Sequence, residues 1–172
     1  MVFTDLLLII GLVCVAFLIV FAFIPVIFFW GAVYLPTKKE AMEEMIALAN
    51  IKPGEKAVDL GAGDGRVVVC LAKAGLEAHG YEINPVLVLL AKINIRKAGL
   101  RGKAFIHFKN FWQEDLSRFD VVAVFGIGHI MDKLEKKLDK ELRKGARVVS
   151  NSFSFPNWKP SKKEKGVFLY EK

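Results

Sequence analysis

Charge is missing from the amino end of this chain. Residues 6–35 carry none, Asp5 is the only charged side chain among the first 37 residues, and all 25 lysines and arginines lie from Lys38 onward. Cysteine is scarce. Cys14 lies in the apolar run and Cys70 in a predicted helix, so no disulfide is expected and a reducing compartment is the default. No His, Cys and Asp residues cluster at metal-ligand spacing, which argues against a zinc-type centre. No pair of cysteines suggests covalent attack on a pyrimidine. No glycine turn is followed by lysine and then serine or threonine, so a phosphate loop of the NTPase kind is excluded. There is no internal repeat and no low-complexity tract.

What stands in the uncharged region is one long apolar run. Residues 6–30 are long enough to cross a bilayer as a helix, since about 20 apolar residues suffice. A cleaved signal peptide would carry a basic start, a shorter run and a small-residue cleavage site. This run has none of these and ends in Phe28-Phe29-Trp30. Trp30 and Tyr34 are spaced like an interfacial aromatic belt, and Lys38 and Lys39 follow at once. The positive-inside rule then predicts a single-pass anchor with the remainder on the cytoplasmic side. From Lys38 the chain holds 25 cations against 17 acids, a net +8, which suits an acidic partner without naming one.

The remainder is organised around Lys56-Ala57-Val58-Asp59-Leu60-Gly61-Ala62-Gly63-Asp64-Gly65-Arg66. Its order predicts a buried strand, a tight turn and a helix. A dinucleotide fold wants G-x-G-x-x-G; here the glycines alternate and Arg66 stands where the third would be. Asp59 and Asp64 flank the turn, and acids suit a cationic amine and sulfonium better than a pyrophosphate. This stretch resembles motif I of the seven-strand S-adenosylmethionine methyltransferases.

Around it the pattern alternates strand and helix, the mark of an α/β sheet that is mostly parallel. Thr37 and Glu40 have capping-box spacing and open a helix with Met42, Met45, Ile46 and Ala49 on one face, ended by Asn50. Strands are predicted at 56–60, 78–82, 104–109, 121–125 and 147–153, and helices at 64–74, 85–98 and 129–143. Asn84-Pro85 supplies an N-cap and a first-turn proline. Residues 110–119 read as a short irregular piece. The last strand, 167–171, reads as an antiparallel edge reached by a basic hairpin. The organisation is thus an anchor (1–35), a capping segment (36–55) and a Rossmann-like, doubly wound domain (56–172).

Ligands of such sheets bind outside the carboxyl ends of the strands. After the first strand come Gly61, Gly63 and Gly65. Glu82 ends the second and is suited to ribose hydroxyls. Asn110, Phe111 and Trp112 follow the third; an amide can pair with an adenine edge and an aromatic can stack on it. Phe125, Gly126, Gly128 and His129 follow the fourth, where a methyl acceptor would arrive. His129 either caps the next helix or acts as a base, and Trp112 is either core or stacking platform.

From Tyr34 onward the chain resembles the small membrane-anchored lysine methyltransferases whose eukaryotic members modify the ATP synthase c subunit and the mitochondrial adenine nucleotide translocase. The resemblance rests on Leu35-Pro36-Thr37, the glycine turn, Gly80-Tyr81-Glu82-Ile83-Asn84-Pro85, Leu134-Glu135-Lys136-Lys137-Leu138, Gly145-Ala146-Arg147-Val148-Val149 and Phe155-Pro156-Asn157-Trp158. It implies a class I fold, S-adenosylmethionine as cofactor and a membrane protein with an interfacial lysine as partner; the alternatives are a lipid headgroup amine, RNA, which fits the charge but not the anchor, and a membrane-tethered binding module without activity. It implies that Pro36 and Thr37 close over the methionine end of the cofactor, that Glu82 takes the ribose, and that Phe155 and Trp158 stand near the acceptor. The chain departs from the family at Asn110, usually an acid, and at Gly128 and His129, usually a proline and a glutamine. The tail after Trp158 is shorter than the family's, so a trimmed last hairpin and a six-stranded sheet are expected.

Overall fold

The computed structural model of the chain describes residues 9–18, 21, 35–126 and 128–172. It divides into two units, Met1–Tyr34 and Leu35–Lys172. In the first, residues 9–18 are helical and the rings of Phe17 and Phe21 stack, 6.4 Å between centroids. Among the described residues no helix is long and apolar enough to cross a membrane. The rest of the predicted span (6–8, 19–20 and 22–30), with Trp30 and Tyr34, lies outside the described residues.

The second unit is a seven-stranded sheet with helices on both faces. Its elements are α1 (Lys39–Ala49), β1 (Lys56–Leu60), α2 (Arg66–Lys73), β2 (Glu77–Glu82), α3 (Pro85–Lys97), β3 (Ala104–Phe108), β4 (Val121–Val124), α4 (Met131–Glu141), β5 (Arg147–Asn151), β6 (Lys162–Glu164) and β7 (Val167–Glu171). Short 3-10 turns stand at Phe111–Gln113 and Gly128–Ile130. The strand order is 3-2-1-4-5-7-6. The first five strands are parallel, and β7 runs antiparallel to both β5 and β6. The order reverses between β1 and β4, and such a switch point opens a crevice beyond the strand ends.

Strand alternation sorts the core into two layers. Ala57, Ala78, Val121, Val149 and Leu169 face α1, α2 and α3. Val58, Tyr81, Val122, Val148 and Tyr170 face α4 and the Leu116–Phe119 segment. Gly80 lies where α2 comes nearest the sheet. A β-carbon there would stand 2.6 Å from Ala62 Cβ, 2.7 Å from Ile106 Cδ1 and 2.8 Å from Val68 Cγ2, so the glycine is a packing requirement.

Several expectations are corrected. The sheet has seven strands, not six: the polar segment Lys162–Glu164 pairs with β7 although its own side chains are exposed. The capping box does not form. Lys38 occupies the N-cap position with no side-chain cap, one residue later than expected, and Thr37 lies buried with its carbonyl bonded to Arg66. The strand predicted at 147–153 stops at Asn151, since Ser152 takes a left-handed φ of 68°. The helix predicted from residue 129 begins as a 3-10 turn and becomes α-helical only at Met131. Asn84 does cap α3, accepting from the Val86 and Leu87 amides.

Gly80→Ala is expected to lower unfolding free energy by about 1–3 kcal/mol, the usual cost of overpacking. The control is Gly128→Ala, where a β-carbon meets nothing within 4 Å and a change below about 0.5 kcal/mol is expected. Urea midpoints measure both; equal midpoints would contradict the packing argument.

Candidate active site

The glycine turn leaves β1 and folds back on β2. The amides of Gly61 and Ala62 both donate to the Tyr81 carbonyl at 3.0 Å, and the Gly65 amide donates to the Ala62 carbonyl at 2.8 Å. Gly61, Gly63 and Gly65 all have positive φ. At Gly65 the approach of α3 adds a second constraint, since a β-carbon would lie 2.8 Å from Ala91 Cβ. The Asn94 side chain, also on α3, donates to the Asp64 carbonyl at 2.9 Å.

Glu82, at the end of β2, is 8% exposed. Its Oε2 accepts from the Gly63 amide at 2.9 Å, and its Oε1 accepts from the Ile83 and Asn84 amides at 2.9 and 2.8 Å. A carboxylate offers about four acceptor positions. Three are taken among the described residues, and the remaining one is on Oε2, which accepts from the turn. The carboxylate is therefore fixed by backbone donors, with one strong acceptor direction left for a ligand hydroxyl.

Two more acids stand close by. Asp59 is 5% exposed, and no hydrogen bond of its carboxylate occurs among the described residues. Burial, and then the charges of Glu82 and Asp64, push its pKa up to about 7. Asp64 is held by Arg66, with Nε to Oδ1 at 3.0 Å and Nη2 to Oδ2 at 2.8 Å. Arg66 Nη1 also donates to the Thr37 carbonyl at 3.3 Å. That ties the segment before α1 to the turn, with Thr37 buried and Pro36 exposed. The turn thus gathers three carboxylates, of which Arg66 is bonded to one.

The other strand ends supply less polar groups. Asn110 is exposed; its side-chain oxygen caps the 3-10 turn by accepting from the Trp112 amide at 3.1 Å. Phe111 and Trp112 are half-buried with ring centroids 4.7 Å apart, and Lys133 Nζ lies 4.6 Å from the Trp112 centroid. Phe125 leaves β4 half-buried, its ring 6.3 Å from Phe153. His129 is exposed on the Gly128–Ile130 turn.

Phe155 and Trp158 pack together against Tyr170. Phe155 is 4% exposed, its amide donates to the Tyr170 hydroxyl at 3.0 Å, and its ring partners are Tyr170 and Trp158. Trp158 is half-buried against the rings of Phe155 and Tyr170. The aromatic beside Phe125 is Phe153, which no motif in the sequence singles out. Ser150 Oγ donates to the Phe153 carbonyl at 2.6 Å and fixes that corner. A strand continued to residue 153 would have put Phe153 in line with the pleat and hidden this. The Asp64–Arg66–Thr37 tie is also absent from the sequence reading; its only signal there is an acid two residues before an arginine.

With the geometry in place, comparison with known proteins decides the family. Residues 59–162 match the model of the ANTKMT methyltransferase domain. The chain belongs to this family. Within the ANTKMT methyltransferase family, the adenine nucleotide translocase lysine N-methyltransferase of Mus musculus is 41% identical over 74% of this chain and 56% of its own length. The protein-lysine N-methyltransferase of Saccharolobus islandicus is 37% identical over 74% of this chain and 80% of its own. Among solved structures, an RNA methyltransferase from Salinibacter ruber in complex with S-adenosyl-L-homocysteine superposes with a TM-score of 0.74 at 30% identity, over 79% of this chain and 91% of that one. The ANTKMT domain here thus has the class I methyltransferase sheet. The chain spans little more than half the length of the mouse relative.

Asp59 gives a pH-dependent prediction. Its folded pKa of about 7 lies above the ordinary 3.8, so between those values the folded protein holds a proton that the unfolded chain has released. Stability is therefore lost as pH rises through that window and is level above it. Asp59→Asn is expected to raise unfolding free energy above pH 7 by on the order of 1–3 kcal/mol and to flatten the decline. Urea titrations at a series of pH values measure this; a variant less stable at pH 8 would contradict it.

Proposed function

We propose that this chain is an S-adenosylmethionine-dependent N-methyltransferase acting on a lysine of a membrane protein. The observation that carries the reading is the Glu82 carboxylate, fixed by three backbone amides beside the glycine turn with one acceptor direction open. The family, and the S-adenosyl-L-homocysteine bound by the Salinibacter ruber structure, support it.

When bound, S-adenosylmethionine supplies a methyl group made electrophilic by its positive sulfur. Glu82 would accept a ribose hydroxyl at Oε2. Asn110 and Phe111 would flank the adenine. Asp59 and Asp64 provide a negative field for the amino and sulfonium charges, and Asp59 would become fully ionised as a cation approached. Thr37 and Pro36 stand on the side tied in by Arg66.

The acceptor lysine must lose its proton before it can attack, since its reference pKa is about 10.4. The Phe125 and Phe153 rings offer an apolar wall where the neutral amine is favoured over the ammonium. The neutral lysine nitrogen, its proton given up to water, would take the methyl group, and the electron pair of the broken carbon–sulfur bond would stay with the leaving sulfide. The chain's contribution is chiefly alignment, and no dedicated base is required. His129 is available at the loop after β4 but among the described residues no partner orients it, so a positioning or capping role fits it better. Phe155, by its burial, supports the wall through Tyr170 and Trp158 rather than forming it.

The membrane part rests on sequence. Residues 6–30 are apolar and uncharged, and Lys38 and Lys39 follow within a few residues, as in a single-pass anchor with its domain on the cytoplasmic side. Lys159, Lys162 and Lys163 are exposed, whereas Lys165 is paired to Glu44 at 2.7 Å. The mouse relative acts, by its name, on a lysine of the adenine nucleotide translocase. A second reading, methylation of RNA, is favoured by one observation, the Salinibacter ruber neighbour.

The test is to incubate membranes of the source organism, and separately its RNA, with labelled S-adenosylmethionine, with and without the protein. Label in a membrane protein, at a lysine that gains methyl mass, is expected. Trp158→Ala is expected to lower that transfer severalfold, by roughly 1 kcal/mol or more of lost support, with cofactor affinity unchanged. Label confined to lipid or RNA would replace the acceptor named here.

A further inference from the structure

Helix α3 is apolar on two opposite sides. Val88, Ala91 and Ile95 face the sheet. At about 3.6 residues per turn, Val86, Leu89, Leu90 and Ile93 emerge on the far side, where all four are exposed, Leu89 at 59%. Ile83, just before the helix, is exposed as well. So is Phe108, at 62%, the last residue of edge strand β3. Phe108 continues the row of Ala104 and Ile106 that faces α3, so it lies on the same side of the sheet. A surface helix normally turns polar residues outward, and a contiguous apolar patch of this kind marks a contact surface.

The same region has a one-sided charge. No Asp or Glu occurs from Ile83 to Gln113, while Lys92, Arg96, Lys97, Arg101, Lys103 and Lys109 all do. Lys109 pairs with Glu114; among the described residues the other five form no ion pair. A cavity of about 460 Å³ opens between the second half of α3 and β3, where Lys92, Arg96 and Arg101 stand over Ile93, Phe105 and His107. Apolar stripe and basic cavity share Ile93 and are continuous.

We infer that the outer face of α3 and the edge of β3 form a seat for an anionic lipid bilayer. The stripe Val86–Leu89–Leu90–Ile93, with Phe108, enters the acyl boundary, and a lipid phosphate sits in the cavity between Lys92, Arg96 and Arg101. The combination selects this occupant. Nucleic acid would use the cations and leave the apolar stripe in water. A second copy meeting on a two-fold axis would bring the same unpaired cations against each other. An interfacial helix on anionic lipid uses both features. Ile83 follows Glu82 directly, so docking would bring the end of β2 to the headgroups. The inference does not rest on methyl transfer, and its test reads lipid contact alone.

The full chain carrying Leu89→Trp is reconstituted with vesicles of phosphatidylcholine containing brominated acyl chains and about one-third phosphatidylglycerol. Quenching beyond that of the unsubstituted chain reports acyl contact at position 89. Asp139→Trp, on α4 at the other face of the sheet, is the control. The expected result is quenching at 89 at least about threefold that at 139, lost in phosphatidylcholine alone and in a Lys92→Gln/Arg96→Gln/Arg101→Gln background. Equal quenching at the two positions overturns the inference. So does shielding of position 89 from iodide in detergent without vesicles, which would mean that a second copy or the chain's own amino-terminal segment covers the stripe.

Discussion

The three amides that hold the Glu82 carboxylate set the geometry on which the rest of the site depends. Gly63 belongs to the turn after β1, and Ile83 and Asn84 to the turn after β2. One side chain therefore joins two loops that share no covalent neighbour. Hydrogen bonds to a charged acceptor contribute roughly 1.5–3 kcal/mol each when buried, enough to hold both loops in one arrangement before any ligand arrives. The glycines are the steric condition for that bond. Gly80 lets α2 lie close to β2, and Gly65 lets α3 lie close to the turn. Filling either position would move Gly63 relative to Glu82.

The electrostatics of the domain divide by depth. The chain from Lys38 onward is strongly basic, yet the glycine turn gathers Asp59, Glu82 and Asp64. Arg66 is bonded to Asp64 and to the Thr37 carbonyl, so it steadies the turn and the segment before α1 together. Asp59 makes no hydrogen bond among the described residues, and burial with the charges of Glu82 and Asp64 pushes its pKa up to about 7. A buried acid that lowers stability but suits a cationic ligand is the kind of compromise expected at a binding site.

Much of this was legible from the sequence because the signals were short-ranged. Strand β1 matched its predicted bounds, and Asn84-Pro85 capped α3, since both depend on a few adjacent residues. The glycine turn and Glu82 were placed at neighbouring strand ends by spacing alone. What was missed depended on distant partners. Thr37 has the spacing of a capping residue, but Arg66, far along the chain, claims its carbonyl. Strand β6 is the polar piece Lys162-Lys163-Glu164, which has no apolar alternation to read and forms only because β7 offers an edge. Phe153 comes beside Phe125 where the chain leaves β5 at the left-handed Ser152, a local turn that no motif reveals.

The central claim is that the open Oε2 direction of Glu82 receives a ribose hydroxyl. Calorimetry of S-adenosylhomocysteine and its 2′,3′-dideoxy analogue, each against the unsubstituted chain and Glu82→Ala, closes a thermodynamic cycle on that bond. The account predicts that the analogue binds the unsubstituted chain at least about tenfold more weakly, and that the two ligands bind Glu82→Ala alike. An equal loss with both proteins would contradict it, since the hydroxyls would then owe nothing to this carboxylate.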